Sequence, residues 1–170
     1  METTTDRLTG LRRELFTTLA LPPSRVWELI ADVPAIGSWS PECIGATWLD
    51  GASAAAPGAR FAAENRFRTG DDSIVRAACG VVTEAAPHRT FSWDVLDEQG
   101  DVGSSWRYEL TAFGPATRVR HTFEHGPGVT GMRLDAEADR TSLDRRLGTL
   151  ATNMSATLAA MDRHLIGLVA

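Results

Sequence analysis

Leu143, Leu147, Leu150, Met154, Leu158, Met161, Leu165 and Leu168 recur at steps of three and four along the end of the chain. That spacing places them on a single stripe of an α-helix. A helix from near Ser142 to Leu168 is roughly 40 Å long at about 1.5 Å per residue, long enough to cross a domain of this size. An apolar stripe of that length needs a large apolar surface opposite it, and the rest of the chain has to supply that surface.

Upstream, the β-prone run Glu14 to Leu21 predicts a first strand, closed by the helix-initiating Pro22-Pro23-Ser24. Val26, Trp27, Leu29 and Ile30 give the next segment an apolar helical stripe that Pro34 ends, with a short second helix or turn from Ala35 to Trp39. Six more strands are predicted: Cys43 to Leu49, Arg60 to Arg68, Ser73 to Ala85, Thr90 to Asp97, Val102 to Phe113 and Thr117 to His125. Turn signals such as Asp50-Gly51, Gly70-Asp71 and Gly114-Pro115 separate them. Strands so close in sequence pair antiparallel. The expected fold class is α+β: a curved antiparallel sheet of seven strands wrapped around a long C-terminal helix, with two short helices after the first strand. One domain over residues 1–170 is expected, residues 1–12 forming a flexible lead.

Composition removes several function classes. The formal charge of -5, with no basic cluster, gives little counterion-release drive for nucleic acid. All 17 basic residues are arginine, so Schiff-base chemistry on a lysine is excluded. Cys43 and Cys79 lie far apart and outside any C-x-x-C pair, as buried thiols of a cytoplasmic protein would. The polar stretch Met1 to Arg13 and the short apolar run after it read as neither signal peptide nor membrane span.

The order strand, two helices, six strands, long helix, with L-P-P-S-R-V-W-E-L-I-A-D-V (Leu21 to Val33) and W-S-P-E-C (Trp39 to Cys43), resembles the START-like polyketide cyclase/dehydrase and lipid-transport (SRPBCC) superfamily. P-G-A-R-F (Pro57 to Phe61), R-T-F-S-W-D-V (Arg89 to Val95), W-R-Y-E-L (Trp106 to Leu110) and A-T-R-V-R-H-T-F-E (Ala116 to Glu124) extend the likeness over nearly the whole chain. The resemblance implies a helix-grip fold with a ligand cavity between the sheet's concave face and the terminal helix. It implies no particular reaction, because the superfamily includes carriers, sensors and cyclases.

Strand alternation supplies the lining. On the last strand Val119, His121, Phe123 and His125 share the apolar, inward face. His121 is then either a proton-transfer group or a hydrogen-bonded core histidine, and His125 either a ligand contact or a rim residue. About 13 Å of strand separates the two, too far for one metal ion, and no metal is expected. Trp106, Tyr108 and Leu110 face inward on the strand before, and Phe91, Trp93 and Val95 on the one before that, which leaves Asp94 outside. Asn65, between inward-facing Phe61, Ala63 and Phe67, is a structural tie or a ligand-orienting amide. Glu42, beside Trp39 at the expected mouth, is a solvated carboxylate or an acid whose pKa desolvation raises. Gly126-Pro127-Gly128-Val129-Thr130-Gly131 matches G-x-G-x-x-G, but no second parallel strand follows it, so it reads as a flexible loop and not a nucleotide site.

These readings predict a hydrophobic small-molecule binder that needs no cofactor. One form is an acid/base cyclase or dehydrase of secondary metabolism, as in antibiotic biosynthesis; the other is a non-catalytic lipid carrier or sensor. His121, Tyr108, Glu42 and Asn65 are the catalytic candidates. Trp39, Phe67, Trp93, Trp106, Phe123, His125 and Met154 are the ligand-contact candidates. A monomer or homodimer is expected, with no nucleic-acid partner and no membrane insertion.

Overall fold

The computed structural model describes residues 6–69, 72–138 and 142–167. Its strands are β1 (Arg12–Leu19), β2 (Cys43–Trp48), β3 (Arg60–Thr69), β4 (Asp72–Ala86), β5 (Thr90–Leu96), β6 (Val102–Phe113) and β7 (Ala116–His125). They form one antiparallel sheet in the order β1-β7-β6-β5-β4-β3-β2. Chain neighbours pair throughout except at β1, which closes against β7 with Leu15 opposite His121. Register shifts in β4 at Val82/Glu84 and in β5 at Val95/Leu96 mark bulges, which sharpen the twist and curl the sheet.

Pro23 at the first turn starts α1 (Pro23–Ala31), and a 3₁₀ turn follows at Val33–Ser38. The long helix is α3 (Ser142–Gly167), which buries Met154, Leu158, Ala160, Met161 and Leu165. Leu158, Met161 and Leu165 share one core with Val26, Ile30, Trp39, Phe91 and Tyr108. This is the helix-grip architecture expected from the sequence; Leu168, the last residue of the stripe, lies outside the described residues. On the outer face, charges alternate across strands: Arg120 donates to Glu109 at 2.6 Å and Arg107 to Glu84 at 2.8 Å.

Phe61 sits across from Gly80, and its ring fills the space a side chain there would take, 2.2 Å from where a Cβ would stand. Gly80→Ala is therefore expected to cost about 1–3 kcal/mol by overpacking. A urea midpoint equal to the wild type's would show that the Phe61 ring swings aside freely.

Two segments differ from expectation. Of the flexible lead, residues 1–5 lie outside the described residues, while residues 6–11 are anchored: Leu8 is 4% exposed and Gly10 N–H donates to the His125 carbonyl at 2.8 Å. The loop after β7 is likewise pinned. Gly126 and Gly128 donate to the Gly103 and Val102 carbonyls at 2.9 and 2.8 Å, and Val129 N–H donates to Asp97 at 2.8 Å. A Cβ on Gly126 would come within 2.0 Å of the Val102 oxygen, so the glycine serves close backbone packing instead of a phosphate. A helix the sequence reading did not place, α2 (Gly131–Ala138), follows and packs on α3, where Arg146 pairs with Asp135 at 2.6 Å.

Candidate functional site

The pleat and the register of β5, β6 and β7 bring their inward aromatic residues side by side. Trp93 lies opposite Trp106 and Phe91 opposite Tyr108, while across the next ladder Trp106 meets Phe123 and Tyr108 meets His121. The rings form a continuous ladder. Trp27 of α1 meets Phe91 edge-on at 6.3 Å, Phe91 lies 5.3 Å from Trp93, and Trp93 stacks on Trp106 at 6.3 Å. Tyr108 stacks on His121 at 4.2 Å, and Trp106 meets Phe123 at 4.9 Å. Trp93 and Trp106 face inward yet are only half-buried, so they border space that water reaches.

His121 is 3% exposed, and neither ring nitrogen has a hydrogen-bond partner among the described residues. Burial drives its pKa down to about 3, which leaves it a neutral imidazole with one donor and one acceptor unused. Tyr108 is 4% exposed, and burial pushes its phenol well above the ordinary value of 10.0, so it stays protonated. Both groups are aromatic surfaces that carry an uncharged hydrogen-bonding edge.

At the other side of the concave face, Trp39 is 8% exposed and its indole N–H is also without a partner among the described residues. Ser40 Oγ accepts from the backbone N–H of Cys43 at 3.0 Å, and Arg66 N–H donates to the Glu42 carbonyl at 2.8 Å; together these fix the chain at the start of β2. Glu42 is half-buried, and burial raises its pKa, opposed by a hydrogen bond of 3.0 Å that Asn153 Nδ2 of α3 donates to Oε2. Sequence reasoning missed Asn153, which lies one residue off the apolar stripe; a carboxamide beside buried Met154 was the available signal. Asn65 is half-buried on β3 opposite Cys43.

The remaining candidates separate. Phe123 and Met154 are 4% and 2% exposed in the interior. The Phe67 side chain lies outside the described residues. His125 is 1% exposed, and both its nitrogens are engaged: Nδ1–H donates to the Gly126 carbonyl at 2.7 Å and the Thr130 hydroxyl donates to Nε2 at 2.8 Å. Arg133 completes that cluster by donating to the Gly128 carbonyl at 3.1 Å and to Asp6 at 2.9 Å. His125 therefore holds the loop in place, and its ring has no nitrogen left for a ligand.

Two surface depressions lie along α3, and the larger is bordered by Leu15, the cross-strand partner of His121. One of about 500 Å³ runs between Leu15 and the Ala151–Ala159 stretch; a smaller one, of about 170 Å³, lies between Arg25, Asp32 and His164. Neither is lined by His121 or Tyr108. Among the described residues no group of three metal-ligating side chains comes together, and no helix is long and apolar enough to cross a membrane.

A long helix gripped by a curled antiparallel sheet, with hydrogen-bonding edges turned inward among aromatic rings, defines a helix-grip protein. The model of the family described as polyketide cyclase / dehydrase and lipid transport matches residues 12–155, and the chain belongs to that family. A Polyketide_cyc-like protein of Corynebacterium glutamicum superposes with a TM-score of 0.64 at 25% identity, covering 95% of this chain and 94% of that one. The Zhui aromatase/cyclase of a Streptomyces species superposes with a TM-score of 0.68 at 15% identity, covering 94% and 96%, a likeness of fold alone. Protein Ms6760 of Mycobacterium smegmatis gives 0.63 at 22%, covering 94% and 93%. No curated protein matches the sequence closely enough to count as a relative.

Proposed function

We propose that the chain takes a hydrophobic small molecule between the concave face and α3 and acts on it as a cofactor-independent cyclase or dehydrase of secondary metabolism. The observation that carries this reading is His121, whose two nitrogens are buried without partners among the described residues, inside a ladder of aromatic rings. An unsatisfied buried polar group costs about 1–3 kcal/mol, and a ligand bearing carbonyl oxygens among apolar carbons relieves that cost. The aromatic walls would hold one reactive conformer of a flexible substrate.

Ring closure at a carbonyl removes one C–H proton, forms a C–C bond and adds one proton to the carbonyl oxygen, so one proton acceptor and one donor suffice. His121 and Tyr108, both neutral, suit hydrogen bonding to the oxygen where charge develops. Burial makes the imidazole a weak base, so the proton-transfer role falls more naturally to Glu42, whose pKa is raised toward the working range. Asn65 is the remaining orienting amide.

The test separates binding from turnover. Binding of anilinonaphthalene sulfonate reads occupancy, and mass-spectrometric conversion of a poly-β-ketone thioester reads chemistry. His121→Gln and Tyr108→Phe are expected to keep dye affinity within about twofold and to lose tenfold or more of the turnover. Unchanged turnover in both variants removes these residues from the mechanism. The second reading, a carrier, is supported by the uncharged character of both His121 and Tyr108, which suits a ligand held and released unaltered. Native mass spectrometry showing fatty acids on the purified protein, with no conversion of the thioester, would favour it.

A further inference from the structure

Asn153–Glu42 is the one hydrogen bond among the described residues that joins a side chain of α3 to the turn before β2, across 111 positions of sequence. The surrounding helix face is apolar, with Met154 and Leu158 at 2% and 5% exposure, so an amide here displaces a residue that would otherwise pack. Its partner is fixed from behind: Ser40 Oγ accepts from Glu42 N–H at 3.3 Å, and the Glu42 carbonyl accepts from Arg66 N–H at 2.8 Å. Only the carboxyl end of Glu42 is free to respond to Asn153.

We propose that Asn153 is the positioning residue of Glu42: its amide N–H occupies Oε2, so that in the acid form the proton sits on Oε1, which has no hydrogen-bond partner among the described residues. A carboxyl oxygen that accepts from an amide is the poorer site for the proton, and the other oxygen becomes the O–H donor. This deepens the proposed function, in which Glu42 gives and takes the proton, and it rests on that reading for its purpose but not for its test. Burial raises the pKa of Glu42 and the amide opposes that rise, so the pair sets the acid between a solvated and a fully desolvated carboxyl. The groups facing it are Asn153 on α3 and, on β2, the Cys43 thiol, which is itself pushed up by burial and by the charge on Glu42; among the described residues no arginine or second carboxylate shifts it.

Carboxyl-carbon NMR of the ligand-free protein labelled at glutamate, with the Glu42 resonance assigned by its loss in Glu42→Gln, reads the titration directly. Asn153→Leu is expected to move the Glu42 midpoint up by about one unit, because the N–H that favours the ionised form is gone. Asn153→Asp, close in shape but presenting an acceptor, is expected to move it up further. An unchanged or lowered midpoint in either folded variant overturns the proposal. The experiment contains no substrate, so it stands or falls apart from the cyclase reading: upward shifts combined with unaltered turnover would defeat Glu42 as the proton-transfer group and leave the positioning role supported.

Discussion

Phe91→Ala is expected to lower the free energy of unfolding by about 3–5 kcal/mol, a large share of the roughly 5–15 kcal/mol that holds a domain folded. Phe91 is 1% exposed and links the ring ladder to α1, edge-on to Trp27 at 6.3 Å and 5.3 Å from Trp93. Its loss removes one of the contacts that seat α1 on the concave face and leaves a ring-sized void beside two indoles. Thermal melting should fall by about 10 °C for a chain of this length. Phe16, also on a strand but 70% exposed, is the internal comparison: Phe16→Ala should stay within about 0.5 kcal/mol. A Phe91→Ala variant that melts with the wild type would mean that the ladder is not a packed unit and that α1 is held elsewhere.

What the sequence discloses of this arrangement follows from periodicity. Alternation on β7 separates Val119, His121 and Phe123 from Arg118, Arg120 and Glu124, and the structure buries the first set at 0%, 3% and 4%. The step of three and four likewise marks the buried face of α3. Both signals work because one side of each element meets the core and the other meets water. Signals fail where contacts are set by tertiary approach. Arg12 reads as lead and Arg13 as the residue before the first strand, yet pairing with Glu124 and Phe123 makes both strand. The second G of the G-x-G phrase reads as loop flexibility, yet the phrase lies tight against the Asp101–Gly103 backbone. The helix-forming run Gly131–Ala138 was obscured by that loop reading, although Met132, Arg133, Leu134, Ala136 and Glu137 favour helix. Asn153 and the unpartnered indole of Trp39 carry no periodic signature, because a polar tie between distant segments is visible only once those segments meet.

Acidification is expected to destabilise the protein through His121, and the sign follows from the protons bound in each state. In the unfolded chain His121 titrates near 6.5; folded, it titrates at about 3 because burial disfavours the imidazolium. Above pH 6.5 the ring is neutral in both states and contributes no pH dependence. Below it the unfolded chain takes up a proton that the folded chain refuses, so stability falls as pH drops toward 3, by about 2 kcal/mol at pH 5. His125, also lowered by burial, acts in the same direction. Glu42 acts in the opposite direction: its raised folded pKa contributes stability that is present below 4.5 and lost as pH rises through the folded value. The measurement is therefore a difference of differences, with urea midpoints of wild type and His121→Gln compared at pH 7.5 and pH 5. The wild type should lose about 2 kcal/mol more than the variant. Equal losses would show that folding does not depress the His121 pKa, and with that the buried, uncharged imidazole on which the proposed function rests would be gone.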